Sequence, residues 1–175
     1  MPGKLGFTSK QRKSVLRNQA SDLLWNGKIE TTQARAKQLK SYVDKILTLA
    51  INTYEDIIET EKKVTVVDDE KKGTTKEVTK KVIKDGSKKL CARRKIMGMI
   101  FDIQEKKGDK ESKSAYKART KDVNHPLVEK IFNELAPKYA ERAERLGNKG
   151  GYSRIYLLGE RKGDAALKAI IALVD

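Results

Sequence analysis

The stretch KIETTQARAKQLKSYVDKILTLA, residues 28–50, decides the fold because it holds the strongest apolar periodicity in the chain. From residue 36 onwards its apolar residues recur at helical spacing, which predicts a helix with one buried face. The face comprises Ala36, Leu39, Val43, Ile46, Leu47 and Ala50. Thr31 or Thr32 can cap the start of this helix, and KIET, residues 28–31, predicts a short strand before it.

The first turns of this predicted helix carry cations. Burial of the apolar face leaves Arg35, Lys37 and Lys40 directed outward, although cations at a helix start oppose the macrodipole at a cost of about 0.3–1 kcal/mol each. Phosphates remove that conflict because they accept hydrogen bonds from free backbone N–H groups and from cationic side chains. For this helix alone, a solvated charged face is an equal alternative.

The composition also favours an anionic partner. The 175 residues include 39 Lys and Arg against 24 Asp and Glu, a net charge of +15 that attracts a polyanion. Apolar residues make up 38% of the chain, enough for the core of one compact domain spanning residues 1–175. No apolar run is long enough to cross a membrane, and the N-terminus lacks the apolar block of a secretory signal, so we expect a cytoplasmic protein without a membrane partner.

The other segments predict helices and strands around this centre. A helix over residues 10–26, capped by Thr8 or Ser9, has an apolar stripe of Leu16, Ala20 and Leu23 and ends at Gly27. Lys10, Lys13 and Arg17 share a face beside that stripe, and this second group of cations shifts the balance towards a nucleic-acid backbone.

Two more helices and two strands are predicted in the second half of the chain. A helix over residues 88–102 would turn Leu90, Met97 and Ile100 to the core, and a longer one over 124–146 would do so with Leu127, Ile131 and Leu135. Pro126 suits a first helical turn, whereas Pro137 kinks or restarts the helix. Residues 151–160 and 167–175 predict strands.

Two polar tracts read as accessories. Residues 55–89 are rich in Lys and contain no Arg, and their alternating valines, Val64 and Val66 before Gly73 and Val78 and Val82 after it, predict a β-hairpin. Residues 104–124 have few apolar positions and predict a surface loop. The expected fold class is α+β, with about four helices packed on a small mixed sheet and an inserted Lys-rich hairpin.

Catalytic and metal-binding residues have little support. Cys91 and the single histidine, His125, provide no cluster of soft ligands for zinc, and Cys91 is read as a thiol on the apolar side of a helix. Asp68, Asp69 and Glu70 fall in the predicted hairpin turn among lysines, where a solvated tip is favoured over a metal site. We therefore predict no enzyme activity, no metal, no cofactor and no small-molecule substrate.

Three stretches resemble the bacterial large-subunit ribosomal protein seventeen family. They are residues 4–50, 124–142 and 150–175. The family's diagnostic run is matched here by Ile29, Thr31 with Thr32, Arg35-Ala36-Lys37, Asp44, Ile46 with Leu47, and Thr48. The chain departs from the pattern at Phe7, where a basic residue is usual, at Gln11, where His is common, and at Ile51, where a basic residue is usual.

The resemblance implies a non-catalytic structural constituent of the large ribosomal subunit. It would bind large-subunit rRNA on the side where the nascent chain exits, with neighbouring ribosomal proteins as further partners. The family's RNA-binding positions correspond here to Lys4, Lys10, Arg12, Lys13, Arg17, Arg35, Lys37, Lys40 and Arg154. Charge alone adds Arg93, Arg94, Arg119, Arg161 and Lys162. The alternative reading of the same charge is an architectural DNA-binding protein.

Overall fold

The computed structural model describes residues 5–67, 75–121 and 123–174, and over 62–67 and 75–80 it describes the backbone alone. The candidate Lys4 and the acidic residues Asp68, Asp69 and Glu70 lie outside the described residues. The helices are α1 (Ser9–Asn26), α2 (Gln33–Ile51), α3 (Ser87–Met97), α4 (Lys113–Thr120), α5 (Pro126–Lys130) and α6 (Ala136–Leu146). The strands are β1 (Lys28–Thr32), β2 (Ile57–Val67), β3 (Thr75–Asp85), β4 (Ser153–Glu160) and β5 (Leu167–Leu173).

The strands form two separate antiparallel sheets. One has the order β1-β5-β4, and the other is the two-stranded β2-β3 hairpin. The α+β class is therefore confirmed, but the expectation of a mixed sheet is wrong because every described pair of strands is antiparallel. Alternating apolar residues report which face of a strand is buried and carry no information about the direction of its neighbour.

Helix α2 lies at the centre of the core, as its periodicity predicts. All six residues of its apolar face are fully buried. They pack with Leu23 and Leu24 of α1, with Ile171 of β5 and with the α5–α6 segment in one hydrophobic cluster. This packing fixes the opposite, charged side of α2 towards solvent.

Of the three residues predicted to turn to the core from the helix over 88–102, Ile100 is buried, but Leu90 and Met97 are not. Leu90 and Met97 are 38% and 39% exposed, and Lys89, Ala92 and Ile96 are buried instead. The Lys89 ammonium lies 5.8 Å from the centre of the Phe132 ring and 3.4 Å from the Asp85 carboxylate, so its aliphatic stem packs inward while its charge is paired. The helix also ends at Met97, short of the predicted end at residue 102.

The tract at residues 104–124 contains a helix where a loop was expected. Ser112 caps α4 by accepting a hydrogen bond from the Ala115 N–H at 3.1 Å, and α4 buries no residue. The Arg119 guanidinium binds both Glu105 and Glu111, which ties α4 to the segment before it. An apolar pattern could not reveal this helix because polar contacts hold it in place.

The helix over residues 124–146 starts with Pro126 in its first turn, as predicted. Leu127, Ile131 and Leu135 are buried, which confirms their register. Between α5 and α6 the backbone widens into one π-helical turn, Ile131–Leu135. Pro137, the second residue of α6, has no N–H to donate, and the wider turn before it accommodates it without ending the helix.

The β2-β3 hairpin is anchored at its base. The Asp56 carboxylate accepts hydrogen bonds from the Lys88 and Lys89 N–H groups at 2.8 and 3.2 Å, and so caps α3 from outside that helix. Gly86 is buried against this carboxylate and donates its N–H to the Asp56 carbonyl at 2.8 Å. A Cβ at residue 86 would overlap the Asp56 carboxylate, so the anchor requires glycine. Within the described residues, no helix is both long and apolar enough to span a bilayer.

Candidate nucleic-acid interface

The start of α1 is a stabilised turn without acidic residues. Thr8 and Gln11 form a capping box: the Gln11 N–H donates to the Thr8 hydroxyl at 3.4 Å, and the Thr8 N–H donates to Gln11 Oε1 at 3.1 Å. Gln11, one of the two residues that depart from the family pattern near the N-terminus, therefore has a structural role here. Lys10 and Lys13 are exposed on either side of it.

The start of α2 is more open. Thr32 makes no side-chain capping hydrogen bond, and the first turn contains no acidic residue. Free N–H groups and nearby cations together make this turn attractive to an anion. The Arg35 guanidinium lies 5.8 Å from the centre of the Phe7 ring. Phe7 therefore supports Arg35 by cation–π contact, at the position where the family usually has a basic residue.

A shallow depression of about 330 Å³ joins this turn to the β4–β5 connection. Arg35, Arg161 and Lys168 line it together with Gln19, Thr31 and others. Gln19 Nε2 donates to the Thr31 hydroxyl at 3.1 Å, which links α1 to β1 across its wall. The structure thus brings together two arginines that lie 126 positions apart in sequence (161 − 35).

Two of the three cations in the depression have carboxylate neighbours. The Lys168 ammonium lies 3.6 Å from the Glu30 carboxylate. Arg161 donates two hydrogen bonds to Asp164, and these bonds lower the pKa of Asp164 to about 2. Both Arg161 and Asp164 are exposed, so a phosphate can still approach the remaining N–H groups of the guanidinium.

The outer face of the three-stranded sheet extends the positive charge. Cross-strand pairing puts Lys28, Ala172 and Arg154 in one row. The next row on this face contains Glu30, Ile170 and Tyr156, and Lys168 follows opposite Thr32. Residues of the opposite parity, including Ala169 and Ile171, are buried against the helices. Lys28 and Arg154 are exposed, so their face of the sheet points to solvent.

We call the union of these parts the basic surface. It consists of the first turns of α1 and α2, the outer face of the sheet and the β4–β5 connection. Its cations are Lys10, Lys13, Lys28, Arg35, Arg154, Arg161, Lys162 and Lys168. The candidates Arg12, Lys37 and Lys40 flank it on α1 and α2, and Lys37 is exposed. Burial raises the pKa of Asp44 in α2, and the charge of Lys40 lowers it. The effect of burial is larger, so the pKa of Asp44 is raised overall.

Arg17 and Arg119, two further predicted RNA-binding residues, also make contacts within the protein. Arg17 donates to the Gly98 carbonyl and lies 5.7 Å from the centre of the Phe101 ring, which joins α1 to the end of α3. Arg119 is the residue that ties down α4. Arg17 and Arg119 therefore have structural roles, in addition to any role in RNA binding.

Arg93 is the most engaged of the candidates. It donates from Nε to Asp85 at 2.6 Å and from Nη1 to Glu129 at 2.5 Å, and it lies 5.2 Å from the centre of the Phe132 ring. Burial lowers the pKa of Arg93, but the hydrogen bonds to Glu129 and Asp85 outweigh it and raise the pKa overall. Arg93 thus clamps the hairpin base to α5. Its neighbour Arg94 is exposed.

His125 and Cys91, the residues considered for catalysis or metal binding, lie outside the basic surface. His125 Nδ1 lies 3.2 Å from Asp102, whose other carboxylate oxygen accepts from the Leu127 N–H at 3.3 Å at the start of α5. Cys91 is exposed, so its predicted position on an apolar face is wrong. In the described ranges, no three His, Cys, Asp or Glu residues come together as a metal site.

The two tyrosines near the C-terminus, Tyr152 and Tyr156, differ in burial. Tyr152 is 5% exposed and packs edge-to-face on Tyr139 with ring centres 5.2 Å apart, so it belongs to the core. Tyr156 is 49% exposed on the outer face of the sheet, in the row beside Arg154. Of the two, only Tyr156 is placed to stack on a base.

Sequence reasoning missed Lys28, Lys168 and Gln19. The two lysines follow from a period of two along β1 and β5, since their neighbours Ile29 and Ala169 are turned to the core. Gln19 carried no signal, because its place in the wall of the depression depends on how α1 crosses β1.

The chain is similar along nearly its whole length to known proteins. The sequence model of the family described as ribosomal protein L17 matches residues 15–174. A protein of Lachnospira eligens named large ribosomal subunit protein bL17 is 40% identical, over 98% of this chain and 97% of its own length. Proteins of the same name from Acetivibrio thermocellus and Ligilactobacillus salivarius are each 33% identical over the same shares. The chain therefore belongs to the ribosomal protein L17 family.

Proposed function

We propose that this chain is a structural constituent of the bacterial large ribosomal subunit and binds large-subunit rRNA through the basic surface. Family membership supports the ribosomal role. The observation that carries the binding mode is the depression where Arg35 and Arg161 meet beside the uncapped first turn of α2. Backbone N–H groups, hydroxyls and guanidinium groups converge there, as recognition of phosphate requires.

The mode of recognition follows from the residues available. Arginine can hold phosphate with two parallel hydrogen bonds, whereas lysine acts as a point charge. Arg35 is held against Phe7, so its orientation is restricted before RNA arrives. The depression is shallow, and we propose that the basic surface reads RNA shape through phosphates and 2′-hydroxyls.

The resemblance to the family supports two finer parts of the proposal. The position would be the side of the subunit where the nascent chain exits, and neighbouring large-subunit proteins would contact the chain. Residues 1–175 would act as a single RNA-binding domain, with the hairpin region, about 55–89, as an accessory to it.

Two lysines of α2 allow a matched test in the large subunit. Lys37 and Lys45 are both exposed, but Lys37 lies beside the basic surface and Lys45 lies near the opposite end of the helix. We expect tagged wild-type protein to sediment with the large subunit through a high-salt sucrose gradient at about one copy per particle. Lys37→Glu should reduce that fraction severalfold, and Lys45→Glu should not. Equal loss for both variants would refute this assignment of the surface.

The salt dependence of binding tests the phosphate mechanism separately. With about eight phosphate contacts, the logarithm of affinity should fall with the logarithm of salt concentration at a slope of roughly −6 to −7. A flat response would contradict the mechanism. Release of the tagged protein to the top of the gradient, combined with equally tight binding to duplex DNA, would favour an architectural DNA-binding protein instead.

A further inference from the structure

The β2-β3 hairpin has two faces of different chemistry. Its antiparallel register pairs Ile58 with Lys84, Lys62 with Lys80 and Val66 with Lys76, and successive pairs alternate between the two faces of the ribbon. The pairs on the face of Ile58 contain four lysines and no acidic residue, a charge of +4. We call this the lysine face.

The other face has the opposite character. Its pairs contain Glu59, Glu61, Glu77 and Asp85 against Lys63 and Lys81, so four negative charges and two positive ones leave −2. On this face Glu61 lies opposite Lys81, an attractive cross-strand pair. The composition of the hairpin does not reveal this difference in charge between its faces, because both strands contain lysines and acidic residues.

The lysine face contains one repulsive cross-strand pair. Lys62 is paired with Lys80, and like charges directly opposite each other destabilise an antiparallel pair. Near the base, Ile58 is 51% exposed on this face and Ile83 is 67% exposed on the other, so the body of the protein covers neither face there. A two-stranded hairpin without a packed face is marginal in water, and a bound anion would remove the repulsion.

The spacing of the lysines suits a polymer. Lys76, Lys80 and Lys84 recur every four residues along β3, which is about 13 Å per step at roughly 3.3 Å per residue. These positions thus follow one another in a row along the strand, whereas a small anion would need the lysines clustered. The base of the hairpin is fixed to the body by Asp56 and by the Arg93 clamp.

From these observations we propose that the lysine face is a second RNA-binding surface, which lies along the phosphate backbone of large-subunit rRNA while the acidic face points away from it. This inference rests on the proposed function and adds a contact outside the basic surface. The absence of arginine and the alternation with valine indicate binding by charge and shape, without recognition of individual bases.

The two faces of the hairpin allow a matched pair of variants. Lys62→Gln with Lys80→Gln removes two charges from the lysine face, and Lys63→Gln with Lys81→Gln removes two from the acidic face at the adjacent positions. Affinity of each full-length protein for purified large-subunit rRNA would be measured between 50 and 200 mM KCl, with circular dichroism to check folding.

Removal of two phosphate contacts should reduce the steepness of the salt dependence by about 1.4–1.8. Over this fourfold range of salt, the advantage of wild type over the Lys62/Lys80 variant should therefore shrink by about sevenfold to twelvefold. The Lys63/Lys81 variant should keep the wild-type slope. Equal changes in both variants, or no change in the first, would overturn the proposal.

Two further outcomes separate the sources of a failure. Unchanged rRNA binding with loss of the Lys62/Lys80 variant from assembled subunits would assign the face to a neighbouring protein and overturn the RNA assignment. If wild-type protein itself bound rRNA with a flat salt response, the proposed function would fail before the hairpin was tested.

Discussion

A substitution of Arg93 distinguishes most clearly between a structural role and a role in RNA binding. Arg93→Met keeps an apolar stem beside Phe132 and removes the charge that bridges Asp85 and Glu129. The two carboxylates would then be partly desolvated without their shared partner. Arg94 is the matched control, since it is the next residue of the same helix and is exposed.

The expected magnitude follows from the two hydrogen bonds. Charge-assisted hydrogen bonds contribute about 1.5–3 kcal/mol each, but Asp85 and Glu129 remain 23% and 37% exposed and recover part of this from water. We expect Arg93→Met to lower the free energy of unfolding by about 2–3 kcal/mol. For a chain of this size, that is a decrease of about 4–12 °C in Tm. Arg94→Met should cost less than about 1 kcal/mol.

Urea denaturation and thermal melts would measure stability, and rRNA binding would be measured at a temperature where both variants are folded. If the clamp is the main role of Arg93, the Met variant should bind rRNA as wild type does once it is folded. An unchanged Tm together with weakened binding would show that Arg93 serves RNA and that the clamp contributes little.

Two further changes test the core and the β4–β5 connection. Leu39→Ala should lower the free energy of unfolding by about 2–5 kcal/mol because Leu39 is fully buried in α2, whereas Lys37→Ala on the exposed side should cost less than about 0.5 kcal/mol in the same urea titration. Asp164 should titrate near its folded pKa of about 2, so the contribution of its pairing with Arg161 is complete above the ordinary pKa of 3.8 and is lost as the pH falls towards 2. Carboxyl NMR should show the Asp164 pKa rising towards 3.8 in Arg161→Gln, and an unmoved pKa would contradict the pairing.

The centre of the fold could be predicted because one physical effect dominates there. In α2 every apolar residue at helical spacing is buried, and the same holds for Leu127 and Ile131. In α3 the prediction failed because Lys89 is buried through its stem, which a division into apolar and polar residues cannot represent. Helix α4 was missed because ion pairs hold it in place without an apolar face.

The candidate site could be predicted only as a set of cations. Charge and helical pattern treat Arg35 and Arg93 alike, since both are basic residues in predicted helices. The structure separates them, because Arg35 lies over Phe7 at the rim of a depression and Arg93 is enclosed by two carboxylates. Partners distant in sequence decide the difference, and no local pattern records Glu129 as the neighbour of Arg93.

The two N-terminal departures from the family pattern have a common physical meaning. At Phe7 a basic residue is replaced by a ring that supports Arg35, and Gln11 completes the capping box with Thr8. The first change gives up a cation that could contact RNA and adds a contact between Phe7 and Arg35 of α2, and the second adds the cap at the start of α1. Order gained before binding lowers the entropy that must be lost when RNA binds, so fewer contacts can support the same affinity. In the proposed binding mode, Phe7 therefore contributes by restricting Arg35 before RNA binds, beside the exposed cations Lys10 and Lys13.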